Sequence, residues 1–437
     1  MLRSRLPAVL VAVMAIGCGQ PEELVRPDFT KALSGPTVTA TDPPFGRRGD
    51  LGLGVTITGS GFDQGSQASW ERNGSPDPKV HVQSTTFVSS TQLVATVDIA
   101  ADASLSLYDV AVTTLAGGRK GIGTAKFEVT QAQPIVGTES AFGVDEQGEV
   151  AGRIGPEGAF YWNPVSGLLA FGTPGRAYDI SEDGRTVAGF TGVCCDGAFV
   201  QVNSGGTWQY TRLPKDPAAS YHTARSVASD LSGAAVFVGG MEGYPAKGNN
   251  TIRQPRLWSP GAGGWNRVGL PAPANSDSPL FDVNAAGAAA GAVGGRASAW
   301  LPNGAGGWDL ATFGAAGSQA WAINATGTLV VGYTGSVGQY WTLSASTWTP
   351  HSLPGGCSEA VDIDTSGRIL ANGCTNGKGK SPAVIASPYG SANVQLLAGV
   401  GSSGTTATAH RMAATGLWIA GDAPSKSTTV GVRWQLP

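Results

Sequence analysis

Seven times between residues 141 and 421 the chain repeats one phrase. A short apolar strand leads to a turn that ends in glycine, and a second apolar strand runs back to another glycine. The first strands include residues 141–145, 177–181, 226–230, 280–284, 320–324, 360–364 and 409–413. The turn glycines are Gly148, Gly184, Gly233, Gly287, Gly327, Gly367 and Gly416, and the returning strands end near Gly152, Gly189, Gly239, Gly291, Gly332, Gly373 and Gly421. A third strand often carries tryptophan (Trp162, Trp258, Trp300, Trp341, Trp434), and a fourth often opens with one (Trp208, Trp265, Trp308, Trp348). One four-stranded unit cannot bury both of its faces. Radial stacking lets each unit pack on its neighbours and leaves only short edges. The spacing therefore predicts a seven-bladed β-propeller over residues 131–437. The last unit reaches only a third strand at residues 433–437, and residues 133–138, ahead of the first unit, can supply the fourth. Both ends of the ring would then be fastened in one blade.

Composition supports an all-β chain. Glycine occurs 65 times in 437 residues and charged residues make up 14%, against roughly 7% and a quarter in ordinary domains. Low charge with 41% hydrophobic residues argues against disorder, and no long stretch of helical period appears. A formal net charge of −3 with no Lys/Arg cluster argues against a nucleic-acid partner or polybasic membrane contact. No apolar run after residue 18 is long enough to span a bilayer.

Residues 36–130 have a different texture, with short strands separated by glycines that predict a small β-sandwich. The motifs Pro36-Thr37-Val38, Pro43-Pro44-Phe45-Gly46, Val55 through Phe62, Phe87 through Leu93 and Tyr108-Asp109-Val110-Ala111-Val112 come in an order that resembles the IPT/TIG family. The resemblance implies an immunoglobulin-like module, most often a spacer in exported proteins. The propeller repeat itself resembles the HAF family of bacterial extracellular repeats, as in Ala320, Ile323, Asn324, Gly327, Val330, Val331 and Gly332. That resemblance implies location and fold but little chemistry.

At the N-terminus, Arg3 and Arg5 precede an apolar run over residues 6–16, and Ala15-Ile16-Gly17 leads into Cys18. This is the layout of a secretory signal and resembles a lipobox. The resemblance implies removal of residues 1–17, diacylation of Cys18, and a lipidated tether over residues 18–35. Ala15 and Gly17 also suit a general signal peptidase, and either cut takes the protein out of the cytoplasm. Gly19 after the cysteine implies the outer membrane or cell surface, with the lipid contacting the membrane.

Four cysteines remain, an even number that suggests disulfides outside the cytoplasm. Cys357 and Cys374 are nearly equidistant from the turn at residues 365–367 and are expected to bridge its hairpin. Cys194 and Cys195 are left as a vicinal disulfide, two free thiols or an intermolecular bridge.

Catalytic signals are few. His81, His222, His351 and His410 are scattered, and neither a nucleophile elbow with triad partners nor an H-E-x-x-H motif occurs. No metal ligand set or cofactor motif is found, and no catalytic residue is assigned. The short polar residues three positions before the turn glycines read as turn caps. Calcium at Asp362 and Asp364 is the rival reading, and it lacks ligands. Most tryptophans recur at fixed positions and read as packing. Trp321 and Trp418 break that pattern, and His410 lies on an expected inner strand. These three are the ligand-binding candidates. Residues 214–223, 240–254 and 271–279 are the longest irregular stretches and the natural place for a rim surface. The sequence thus reads as a surface lipoprotein that binds a protein or glycan partner without catalysis. The alternatives are a carbohydrate-active hydrolase or lyase and a structural envelope protein. Inward carboxylates with an arginine at a channel mouth would favour the enzyme, and an aromatic rim would favour binding.

Overall fold

In this computed structural model the described residues are 35–436, without 101, 131, 156–157, 193–196, 247, 249, 377–378, 398–406 and 426–427. Cys18, Cys194 and Cys195, with the expectations attached to them, lie outside the described residues. The fold is all-β, and short 3-10 turns such as Ala116–Gly118 are its only helical pieces among the described residues. No helix there is long and apolar enough to cross a membrane.

The N-terminal part contains two sheets. One orders its strands Thr37–Asp42, Leu53–Ser60, Gln92–Ile99 and Val80–Ser89. The other orders them Phe45–Arg47, Lys120–Thr130, Ser106–Thr113, Gln67–Arg72 and Ser75–Pro76. Period-two burial is clearest in Gln92–Ile99, where Leu93, Ala95, Val97 and Ile99 are fully buried and the residues between them are not. These four share one core with Trp70, Tyr108, Val110 and Phe127 from the other sheet. Trp70 and Phe127 meet edge to face at 5.4 Å.

Seven antiparallel four-stranded sheets follow, the first two joined through one shared long strand into a continuous seven-stranded sheet. Their innermost strands are Ser140–Val144, the second half of Gly167–Ile180, Tyr221–Ser229, Leu280–Val283, Ser318–Ile323, Glu359–Ile363 and Thr408–Met412. Each innermost strand contacts the next, and the seventh contacts the first. The strand Gly167–Ile180 serves two sheets. Its first half is the outer strand of sheet one, and its second half pairs with Thr186–Thr191 in sheet two. The seventh sheet takes its fourth strand from far upstream: Ala132–Pro134 pairs with Thr428–Gln435 at Ala132↔Trp434, Gln133↔Arg433 and Pro134↔Val432. Arg433 extends the joint. Its guanidinium lies between the rings of Trp162 and Trp418, at 4.6 and 4.2 Å, and donates to Gln133 Oε1 at 2.7 Å.

The seven turn glycines have φ between 69° and 85°, a region that costs a side chain roughly 1 kcal/mol or more. In every turn the glycine N–H bonds the carbonyl three residues back. Asp145, Asp230, Asn284, Asn324 and Asp364 also accept backbone N–H bonds with their side chains, and Ser181 does so through its hydroxyl. The third-strand tryptophans Trp258, Trp300, Trp341 and Trp434 are among the largest fully buried side chains. Trp258 donates to the Pro214 carbonyl and Trp300 to the Pro271 carbonyl, at 2.8 and 2.6 Å. Each of these two tryptophans thereby pins the Leu-Pro turn that leaves the preceding sheet and leads into its own.

Cys357 and Cys374 form a disulfide across 17 residues, just beyond the end of the strand pair that matches Glu359 with Asn372. Replacing both with serine is expected to cost about 2–3 kcal/mol through the freer unfolded chain. Melting with and without reductant checks this: the parent should lose its advantage on reduction and the double variant should not respond.

Candidate functional site

All seven innermost strands carry a register shift at one equivalent place. The extra residues are Phe142, Tyr178, Arg225, Phe281, Trp321, Val361 and His410. A bulge sets two residues against one on the partner strand, so it breaks the strict up-and-down alternation and re-aims a side chain. All seven bulged residues line a single cavity of about 490 Å³, together with Arg176, Glu359, Asn372, Thr408 and Arg411. That volume suits a small ligand.

The residue after each bulge forms a second layer: Gly143, Asp179, Ser226, Asp282, Ala322, Asp362 and Arg411. Arg411 Nη2 lies 2.6 Å from Asp179 Oδ2 and 3.0 Å from Asp282 Oδ1, and Nη1 lies 3.6 Å from Asp362 Oδ1. The three carboxylates also join neighbouring sheets. Asp179 accepts from Val227 N–H, Asp282 from Ile323 N–H and Asp362 from Met412 N–H, at 2.8, 3.0 and 2.7 Å. Ser226 does the same for Val283 N–H through its hydroxyl. Burial raises the carboxyls of Asp282 and Asp362 despite the arginine charge, Asp362 to about 7. This charged layer floors the cavity. A smaller pocket of about 160 Å³ lies on its other side, towards the turns.

The cavity wall changes character around the ring. Arg225 sits 4.2 Å over the Tyr178 ring. Phe281 and Trp321 meet at 4.4 Å, and the Phe142 ring lies 5.1 Å from that of His410. His410 Nε2 is 2.8 Å from Asp422 Oδ2, and Asp422 Oδ1 accepts the Ala141 N–H. Glu359 takes a bond from Asn372 Nδ2 at 3.1 Å. Two polar atoms of the lining are buried without a partner, Arg225 Nε and Trp321 Nε1.

Of the three ligand candidates, Trp321 and His410 thus meet in the cavity. Trp418 is elsewhere. It is 9% exposed, on the second strand of the seventh sheet, packed beneath Arg433. The carboxylates weighed for calcium are directed to other partners, Asp362 to Arg411 and Asp364 to Arg368 Nε at 2.6 Å. Among the described residues no group of three or more His, Cys, Asp or Glu is arranged to hold a metal ion. Tyr178, Arg225, Phe142 and Phe281 did not stand out in the sequence. Their signal is positional: each occupies the same column of the repeat as Trp321.

The three long stretches form one surface, and only two are irregular. Most of residues 240–254 is strand, because the hairpin of Ala235–Pro245 and Thr251–Gly261 outgrows its sheet. Each innermost strand runs from the cavity end to the glycine turn, so the return hairpins and sheet-to-sheet links lie at the cavity end. Buried Glu242 ties the stretches together, bonding Arg256 Nε, Arg267 Nε, Tyr244 Oη and the Asp216 N–H. Burial alone would raise its carboxyl, but the bonds from Arg267, the Asp216 N–H and Tyr244, with the Arg256 charge, bring it down to about 2. Arg253 pairs with Asp277 on the third stretch.

No protein-family model matches the chain, and no curated protein matches it. Among solved structures, selenomethionine-substituted virginiamycin B lyase from Staphylococcus aureus aligns at TM-score 0.45 and 14% identity, over 70% of this chain and 98% of that one. Domains A168–A170 of titin align at TM-score 0.16 and 12% identity, over 53% and 96%. The I9–I11 tandem of titin aligns at 0.15 and 10%, over 71% and 94%. TM-scores this low carry neither a fold nor an activity over to this chain.

Proposed function

We propose that this chain is an exported, lipid-tethered binding protein, in which an immunoglobulin-like spacer of the IPT/TIG kind carries a seven-bladed β-propeller with a ligand cavity at its centre. The propeller reading is supported by seven sheets in a closed cycle of contacts, with both ends of the ring in one sheet. Export is supported by the basic and apolar N-terminus with Cys18 and by the Cys357–Cys374 disulfide. One observation carries the binding reading: seven bulges turn seven mostly bulky side chains into one cavity, and two buried donors there have no partner. An unpaired buried donor costs about 1–3 kcal/mol, which a ligand acceptor would recover. The partner is a glycan or another small ring compound. The inward carboxylates with their arginine satisfy one another and leave the aromatic wall to meet the ligand.

A glycan and small-molecule binding screen on the full-length protein tests this. Trp321→Ala is expected to abolish whatever binding is found. Trp418→Ala, outside the cavity, should lower stability and spare binding. If Trp321→Ala binds as the parent does, the cavity is not the site.

A second reading, a carbohydrate-active hydrolase or lyase, is favoured by the His410–Asp422 pair. A carboxylate that orients an imidazole towards a cavity equips it to move a proton. Turnover of an oligosaccharide that is lost in His410→Asn but bound as before would establish it.

A further inference from the structure

We infer that the cavity ligand is an anion, a ring compound bearing a carboxylate, with the charged group recognised by Arg225 and Arg176 and the ring by Trp321 and Phe281. This inference rests on the cavity being the binding site and adds the chemistry of what it holds. Arg176 and Arg225 stand on neighbouring innermost strands, and neither has a carboxylate at ion-pair distance among the described residues. Arg225 does have the face of Tyr178, which holds the guanidinium plane without neutralising it. The third arginine of the lining, Arg411, already faces Asp179, Asp282 and Asp362. The one carboxylate in the lining is Glu359, which already accepts from Asn372. His410 is held by Asp422.

The unsatisfied groups agree in sign. Arg225 Nε and Trp321 Nε1 are both donors, and no buried acceptor of the lining lacks a partner. A ligand that completes this wall has to bring acceptors. A planar carboxylate fits a guanidinium fork, and a flat ring fits the Phe281–Trp321 pair, whose centroids are 4.4 Å apart. A cavity of about 490 Å³ has room for one or two rings. The two sources of this chemistry are acidic sugars of the uronic-acid type and aromatic carboxylates.

Titration calorimetry of the full-length protein distinguishes them. The probes are a uronic-acid disaccharide, its neutral counterpart, benzoate and benzyl alcohol. One acidic probe is expected to bind at least about tenfold more tightly than its neutral counterpart, as a charge-assisted bond requires. The acidic probe that binds names the source. Arg225→Gln and Arg176→Gln should each erase most of that preference, while Trp321→Phe should weaken acidic and neutral probes alike. Melting temperatures of the variants separate a lost contact from a lost fold. Equal affinity for acidic and neutral probes, unchanged by either arginine substitution, overturns the anion inference and leaves the binding cavity standing. If none of the four probes binds, the inference also fails, and the wider screen alone decides the cavity.

Discussion

Replacing Arg411 with alanine is expected to lower the unfolding free energy by about 3–5 kcal/mol, the range for removing one partner of a buried ion cluster. The arginine stands on the seventh sheet and faces aspartates from the second, fourth and sixth. Its loss leaves Asp179, Asp282 and Asp362 facing one another where water reaches poorly. Their own bonds to Val227, Ile323 and Met412 N–H groups keep them from turning away. The variant can relieve the repulsion only by binding protons, so its deficit should be smaller at pH 5 than at pH 8. Urea unfolding followed by tryptophan fluorescence at both pH values measures it. Arg411→Ala combined with asparagine at the three aspartates should regain much of the loss, since neutral groups need no counter-charge. A deficit below about 1 kcal/mol at pH 8 would mean that the layer is not held by its charges.

This layer marks where sequence legibility stopped. The seven turns were readable because a left-handed turn position selects glycine and the capping position selects a short acceptor, so the signal is local. The tryptophans were readable as packing for a similar reason: they recur at one depth in each sheet. A bulge leaves no such mark, because it is defined by the partner strand's register. Without it, alternation places Tyr178 and Asp179 on opposite faces, and neither looks like a site. In the third repeat the strand has two register shifts, at Ala224/Ser226 and Ala228/Ser229. A reading that starts at Ser226 leaves Arg225 outside the repeat. Trp321 stands out because it breaks the tryptophan pattern of the repeat from an inner strand. Trp418 breaks that pattern by following a turn glycine, but it packs under Arg433 near the joint between the ring's two ends. The scattered partners of Arg411 could not be paired from sequence, since they come from three different repeats.

Stability is expected to fall as pH rises from 6.5 to 9, with Glu182 as a main contributor. Glu182 lies at the turn end of the ring, where Ala414 N–H donates to its Oε1 and its Oε2 is buried without a partner. Burial, then the nearby Glu146 charge, pushes its carboxyl up to about 9, and Asp179 and Asp145 add to the rise. Asp145 is also raised, by burial and then by the adjacent Glu149 charge. A carboxyl raised on folding keeps its proton in the native state at pH values where the unfolded chain has released it. Its contribution is complete below the unfolded value, near 4.5 for Glu182, and is lost as pH climbs to the folded value. Each such proton contributes a slope of about −1.4 kcal/mol per pH unit inside its window. The groups that act the other way finish earlier. Glu242, lowered to about 2 from 4.5, adds its stability by pH 4.5. His222, lowered by burial, adds its own by its unfolded value of 6.5. Above pH 6.5 the raised carboxyls therefore dominate among these groups, and melting temperature should decline steadily to pH 9. Glu182→Gln keeps the acceptor for Ala414 and removes the titration. It should match the parent near pH 5 and melt higher at pH 9. A variant that melts below the parent at pH 9, or a parent curve that stays flat from pH 6.5 to 9, would show that Glu182 is charged in the folded protein and solvated well enough to remain so.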